Sequence, residues 1–477
     1  MSTCTEVSGT HTQGSVPEQR GAAAACPIEP RAQQAAAEDR LDGTLLGALR
    51  AGRWSDALEA ACGGLAVALG FSIPISTTLT EILMATLVVV WALSGRFGAR
   101  WRFVRGNPVL WLAVAMFGLL ALATTYSTAP PREALDGLFS YRKLLYIPIL
   151  ATVFVRPRAR LNGLRAFQVA MLLTLGASFL MWAGLVDTKW GDAADCAAFK
   201  NHINQNVLMA FLVGLCAVLA RSNPARRWWY AALAAAAGFD VLFLVHGRTG
   251  YLILFTVIAL VMYQCAGRRG LALGAIAVAI MAAGAYGLSS NFQQRVDTAF
   301  REAVDFYRAG RDSPDSSIGE RLLFYRISLR VVQREPLLGA GTGSFRVERE
   351  RYAPGRSTPA APNPHSSYLH IATQTGLFGL VLMLVWLGVQ WRLSWRLPAP
   401  YAALAQLTVA AFAVGSLFNS LLSTTTESHF FAYFTAMCFA TLAAPGEPSA
   451  AVPFDAATSD TQRADGPTAR PNGPAIA

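Results

Sequence analysis

From about residue 57 to residue 444 the chain is a succession of apolar runs of roughly 17–25 residues, the length a helix needs to cross a bilayer. Lipid offers backbone N–H and C=O groups no partners, so a spanning segment must satisfy them internally, as a helix or within a closed barrel. The runs lack the two-residue alternation of barrel strands, which leaves helices. Composition agrees. Of the 477 residues, 53% are hydrophobic and 14% charged, whereas a soluble domain carries about 25% charged residues. The expected fold is an all-α polytopic membrane protein. Its spans are expected at about 57–73, 78–95, 107–124, 138–155, 166–185, 204–220, 230–246, 250–266, 271–288, 371–391, 401–420 and 429–444, twelve in all.

The net charge of +11 would suggest a nucleic-acid partner in a soluble protein. Here the arginines stand between apolar runs, so topology accounts for them and no nucleic acid is expected. The connections after even-numbered spans are basic: Arg96, Arg100, Arg102 and Arg105, then Arg156, Arg158, Arg160 and Arg165, with further arginines after spans six, eight and ten. The odd short connections hold few cations. By the positive-inside bias, the even connections and both termini are cytoplasmic. Residues 1–56 and 445–477 have tail-like composition without a signal peptide and are expected to be disordered cytoplasmic tails. Between them lie spans one to nine (57–288), a large outer segment (289–370) and spans ten to twelve (371–444).

Seven cysteines carry little information. Cys4 and Cys26 fall in the tail, Cys62, Cys216, Cys265 and Cys438 in apolar runs, and Cys196 on the outer side. Neither a disulfide framework nor a cysteine metal site is expected. The outer segment is rich in arginine, from Arg295 through Arg311 to Arg356. Its stretch 320–334 has apolar residues at helical spacing with arginines between, which predicts an amphipathic surface helix. Pro336 ends it, and Gly339, Gly341 and Gly343 predict a flexible turn. Ordered segments of this length are usually functional.

Several side chains are candidates for chemistry. Asn363 suits an N-cap and Pro364 a first helical position, which puts His365 in the first turn of a helix. The partial positive charge there disfavours the imidazolium, and a neutral imidazole can accept a proton. A capping or interfacial histidine is the plainer reading. His370, Glu427 and His429 follow no compact ligand spacing, so no metal is expected. Arg142, Lys143 and Arg248 lie at the outer ends of spans, where cations either snorkel to headgroups or bind phosphate oxygens. His202 and Asn206, in the stretch 199–206, either cap a helix or bind sugar hydroxyls. Gly376 and Gly379 read as small residues for close helix packing. No phosphate-binding glycine loop, dinucleotide fingerprint or serine elbow is present.

These residues resemble the O-antigen ligase and polymerase superfamily of bacterial envelope proteins. That family's pattern is His, then Asn, Ser or Gln, nine residues, Gly, two residues, Gly, and His365-Ser366 with Gly376 and Gly379 matches it in full. Arg248 with Leu252 matches a second pattern of Arg, three residues, Leu, and Pro336–Phe345 is similar as well. The resemblance covers roughly residues 60–445. It implies the fold of the helical glycosyltransferases that use lipid-linked sugars, a bacterial inner-membrane location and a site facing the periplasm. It implies transfer of O-antigen from undecaprenyl pyrophosphate to lipid A–core by metal-independent inverting chemistry, without a cofactor. On that footing His365 is the general base. Arg142, Lys143, Arg248 and Arg321 hold the pyrophosphate, and His202 and Asn206 contact substrate. An O-antigen polymerase and a protein O-oligosaccharyltransferase fit the same resemblance. A transporter of lipid-linked sugars is a different class, disfavoured because the ionisable residues gather at span ends, Asp240 excepted.

Overall fold

The computed structural model describes residues 54–288, 290–308, 316–354 and 363–442. The expected tails lie outside the described residues, apart from 54–56, which open the first helix. Cys4, Cys26, Arg311 and Arg356 lie outside them too. The described residues form sixteen α-helices and no strand beyond an isolated bridge between Thr188 and Gly191. In chain order they are α1 (Trp54–Ile75), α2 (Thr77–Leu93), α3 (Phe97–Arg105), α4 (Pro108–Leu122), α5 (Pro131–Ser140), α6 (Lys143–Phe154), α7 (Pro157–Trp182) and α8 (His202–Ser222). There follow α9 (Arg227–Phe239), α10 (Arg248–Leu288), α11 (Ser290–Arg308), α12 (Ser317–Arg334), α13 (Phe345–Tyr352), α14 (Ser367–Ser394), α15 (Tyr401–Phe418) and α16 (Thr425–Phe439).

Each of the twelve expected runs coincides with helical structure. Among the described residues, however, six helices are long and apolar enough to cross a membrane, or seven if α2 and α3, bent by 113°, form one span. The difference has local causes. Runs eight and nine merge in α10, interrupted at Ala266 and Gly267. Run four is split at Tyr141, between α5 and α6. Run seven ends in a π-turn, Asp240–Leu244. Exposed apolar side chains such as Ile276 and Ile280 on α10 and Val381, Leu384 and Val385 on α14 face outward, as lipid contact requires. The chain is a multi-pass membrane protein.

α16 is buried from Thr426 to Phe439 and forms the centre of the bundle. Phe430 and Phe434 pack with Phe167 and Phe211, ring centroids 4.7–6.3 Å apart. The Tyr433 hydroxyl donates to Ala66 O at 2.9 Å. At one end of the bundle Arg96 (3.1 Å), Arg100 (3.9 Å) and Arg156 converge on Glu59. The connections after spans two and four therefore share an end. Following α7 to the far end leads to the starts of α8, α10, α12 and α14.

The expected amphipathic helix is α12, and the described residues of the segment around it pack into a unit. Phe306, Leu323, Phe324, Ile327 and Phe345 form a small core. The fully buried Glu348 binds Arg334 at 2.9 Å and Arg351 at 3.0 Å and accepts from Thr128 at 3.2 Å. The glycine turn after Pro336 is not the flexible element expected. It is locked into a break in α14 at Gly376, where φ is 62° and ψ −157°. The break frees the carbonyls of Thr373 and Gln374, which accept from Ala340 N (2.8 Å) and Gly341 N (3.0 Å). The displaced N–H groups of Leu377 and Phe378 donate to Pro336 O (2.8 Å) and Leu337 O (3.4 Å). Two intrahelical bonds are thus replaced by four bonds to the loop, so all four freed groups are paired. Gly376 is more than a small packing residue: a Cβ there would stand 2.3 Å from the carbonyl of Leu337.

Candidate active site

The start of α14 lies one turn later than expected. The N-cap is Ser366, whose Oγ accepts from Leu369 N at 3.5 Å. Asn363 instead makes an Asx turn, its Oδ1 accepting from His365 N at 3.1 Å. His365 therefore stands outside the helix, in the left-handed region at φ 54°, a conformation few non-glycine residues adopt. Three contacts hold it there. Its ring stacks on Phe324, centroids 6.1 Å apart and planes 15° apart. Its carbonyl accepts from the Tyr325 hydroxyl at 3.5 Å. Ser366 and Ser367, immediately after it, donate to Ser416 O and Asn419 O at 3.2 Å each. Burial and then the nearby Arg321 charge lower the His365 pKa to about 4, so the imidazole is neutral at pH 7.

On one side of His365 is a cavity of about 420 Å³. Arg248, Arg295 and Arg321 line it, with Glu302 as the carboxylate among them, and His202 and His246 complete the wall. Asp195 lies 3.5 Å from the His202 ring and 3.7 Å from that of His246. The first turns of α8 (His202), α10 (Arg248, Thr249) and α12 (Ser317, Arg321) all border the cavity. Each brings the positive end of a helix dipole. None of the three arginines forms an ion pair among the described residues, and the buried Arg248 Nε has no hydrogen-bond partner there. A buried guanidinium donor without an acceptor marks a place where an anion can complete the site.

A second cavity, of about 290 Å³, is lined by Asn363 and, across it, by Tyr141, His370 and Gln374. His365 lines neither cavity and is tied to each through a neighbour. Asn363, which fixes its backbone, borders the smaller cavity, and Arg321, which acts on its ring, borders the larger.

The structure thus brings His202, Arg248 and Arg321 together around one cavity, and of these Arg321 acts on His365. Arg142, Lys143 and Asn206 do not line the basic cavity. Arg142 pairs with Glu81 at 2.5 Å, bonds the Tyr146 hydroxyl at 3.0 Å and lies 4.0 Å from the Phe139 ring centre. Arg142 and Lys143 donate to the carbonyls of Phe139 (2.9 Å) and Ser140 (3.2 Å), capping the C-terminus of α5. Asn206 is fully buried and donates to Val245 O at 3.0 Å, propping the turn that carries Arg248. The cap of α8 is Asn201, which accepts from Asn204 N at 3.0 Å. Sequence reading missed Arg295, His246 and Glu302. His246 was within sight, two residues before Arg248. Arg295 and Glu302 lie two helical turns apart on α11 and carry no local mark. Among the described residues no group of three or more His, Cys, Asp or Glu side chains is arranged to hold a metal. Cys196 is buried beside Met181, Leu244 and Val245.

The fold and the site define an all-helical membrane bundle with an arginine-lined cavity and a neutral histidine near one end. Residues 233–384 match the model of a family described as O-Antigen ligase, and over that stretch the chain carries a domain of this family. Arg248, Arg295, Arg321, His365 and the Gly376 break all fall within it. No curated protein matches the chain.

Proposed function

We propose that the protein is an O-antigen ligase. In this reading it moves a finished glycan from undecaprenyl pyrophosphate to a sugar of lipid A–core at the periplasmic face of the inner membrane. The observation that carries the reading is the basic cavity, with three arginines, three helix N-termini and one unsatisfied guanidinium donor, whose Arg321 also acts on a neutral histidine. The pyrophosphate of the donor lies in that cavity. Arg248, Arg295 and Arg321 take its oxygens and stabilise the charge that grows on it as the sugar–phosphate bond breaks. His365 removes the proton from the acceptor hydroxyl. That oxygen attacks the anomeric carbon opposite the pyrophosphate and inverts it. A base with a pKa of about 4 is weak, but bound pyrophosphate offsets the Arg321 charge and so raises the basicity of His365 when it is needed. Arg142 and Lys143, which the family resemblance assigns to the donor, serve here to hold the α5–α6 junction, and Asn206 supports Arg248. The topology that goes with this reading has twelve spans, cytoplasmic termini and the segment 289–370 in the periplasm.

The test is reconstitution of the purified protein with undecaprenyl-pyrophosphate-linked glycan and lipid A–core. Transfer of the intact glycan to lipid A–core, lost in Arg248→Met, is the expected result. Lengthening of the lipid-linked glycan without transfer to the core would make the protein a polymerase. Modification of a serine- or threonine-bearing pilin peptide would make it a protein glycosyltransferase.

A further inference from the structure

The smaller cavity beside His365 has a different chemical character from the basic one. Its ionic groups are Glu133, Asp136 and Arg346, two carboxylates against one guanidinium. Glu133 and Arg346 already pair with each other, across α5 and α13, with Arg346 Nε on Glu133 Oε2 at 3.0 Å. Such a surface repels phosphate and suits a neutral ligand that carries both donors and acceptors.

The back wall of this cavity is a continuous hydrogen-bond chain from Gly343 to His370. The N–H of Gly343 donates to Gln374 Oε1 at 3.0 Å, which fixes the orientation of the amide. Gln374 Nε2 then donates to the carbonyl of His370 at 3.1 Å and to the Tyr141 hydroxyl at 2.7 Å. The Tyr141 hydroxyl lies 3.1 Å from His370 Nδ1, its one other hydrogen-bond partner among the described residues besides Gln374. With its proton directed there, the neutral ring carries its own on Nε2, and this is the tautomer assigned here. His370 is 6% exposed, its ring borders the cavity, and Nε2 has no partner among the described residues. The glycine loop that plugs the α14 break supplies the first donor of the chain, so the orientation of His370 is set by the outer segment.

We infer that this cavity is the acceptor subsite, which holds the terminal sugar ring of the acceptor by a hydrogen bond from His370 Nε2 and by hydroxyl contacts to Asp136. Tyr141 and Gln374 are positioning residues that keep His370 a donor. The inference rests on the glycosyl-transfer reading above. It applies equally to a core sugar and to the end of a second lipid-linked glycan, because both present neutral hydroxyls. It also separates the two histidines: His365 accepts the proton of the attacking hydroxyl, and His370 donates to a neighbouring oxygen of the same sugar.

The test uses the full-length protein in nanodiscs, with KM measured separately for donor and acceptor. Asp136→Asn, at an exposed position, and Tyr141→Phe should each raise the acceptor KM about tenfold, the scale of one lost hydrogen bond, and leave the donor KM within about twofold. Selective ¹⁵N-histidine spectra should show His370 protonated at Nε2 in the wild type and a mixture of tautomers in Tyr141→Phe. An unchanged acceptor KM in Asp136→Asn, or a rise confined to the donor KM, overturns the assignment. If the wild type lengthens lipid-linked glycan instead of modifying lipid A–core, the same acceptor shift supports the subsite while the ligase reading fails. If it transfers to neither, binding of delipidated core oligosaccharide decides. Binding that weakens in both variants supports the subsite, and no binding by the wild type overturns it.

Discussion

The carbonyl of Thr373 accepts its hydrogen bond from the N–H of Ala340, at 2.8 Å, and not from that of Leu377 four residues further along the same helix. This exchange joins the outer segment to the membrane bundle. It puts the glycine loop against α14 between His370 and the remainder of the helix, and it lets one loop set the positions of Gln374 and His370. The second half of the family pattern, the pair of glycines, gains a mechanical meaning. Gly376 makes the break, and Gly379 leaves room for the Thr375 side chain, whose Oγ1 would lie 1.8 Å from an added Cβ.

Gly376→Ala should therefore be among the most damaging substitutions in the helix. The left-handed conformation alone costs an alanine on the order of 1–3 kcal/mol, and the Cβ also meets the Leu337 carbonyl at 2.3 Å. The expected outcome is a lower melting temperature in detergent and loss of transfer. Gly388→Ala, in the same helix with nothing within 4 Å of the new Cβ, is the control. It should be neutral or stabilise by up to about 1 kcal/mol. Equal damage from both substitutions would refute the account of the break.

His365 offers a way to separate chemistry from folding. Asparagine adopts φ near 54° with little strain, so His365→Asn keeps the backbone and removes the base. It should melt close to the wild type and lose about 10²–10⁴ in kcat, the range for a general base. Donor binding, followed by protection of the lipid-linked glycan from an added pyrophosphatase, should persist. A kcat within a few fold of wild type would leave His365 an orienting group at most.

The pH dependence has a defined sign. His365 is active when neutral, and its pKa in the fold is lowered to about 4 from 6.5 by burial and then by Arg321. The acid limb of kcat/KM should accordingly fall near pH 4, not near 6.5. Arg321→Gln removes the second cause and should move the limb upward, still short of 6.5 because burial is the larger cause. For stability, the folded state binds fewer protons than the unfolded chain between about pH 4 and 6.5. The contribution of His365 is thus complete above 6.5 and is lost as pH falls through that window. An acid limb that moves downward in Arg321→Gln would contradict the contact between the two residues.

How far the molecule could be read beforehand differs from element to element. α12 was plain because its apolar residues keep helical spacing through Leu322, Phe324, Tyr325, Ile327 and Leu329. The apolar runs were plain for the same reason of length. The start of α14 was misplaced because Asn363 and Pro364 satisfy the local rules for a cap, while the bonds that favour Ser366 come from Ser416, fifty residues away. The arginines were the hardest case. Arg334 and Arg351 are occupied by Glu348, and Arg346 by Glu133, whereas Arg295 and Arg321 are left to the cavity. Composition and charge pattern give these residues equal standing, and only tertiary pairing separates structural cations from those that can meet a ligand.

Glu302 provides the last test, because its charge opposes the role given to its surroundings. It is the carboxylate lining the basic cavity, among Arg248, Arg295 and Arg321. Its Oε2 also accepts from Ile318 N at 3.0 Å at the start of α12, a bond the amide oxygen of glutamine can keep. Glu302→Gln should therefore preserve the fold and remove one negative charge from the anion site. A like charge about 4 Å away costs on the order of 1 kcal/mol in a water-filled site, so inorganic pyrophosphate should inhibit transfer about fivefold more strongly in the variant. Arg295→Gln should weaken the same inhibition by at least as much. The measurement is the inhibition constant of pyrophosphate at fixed donor and acceptor. Weaker inhibition in Glu302→Gln would mean that this cavity does not receive the pyrophosphate.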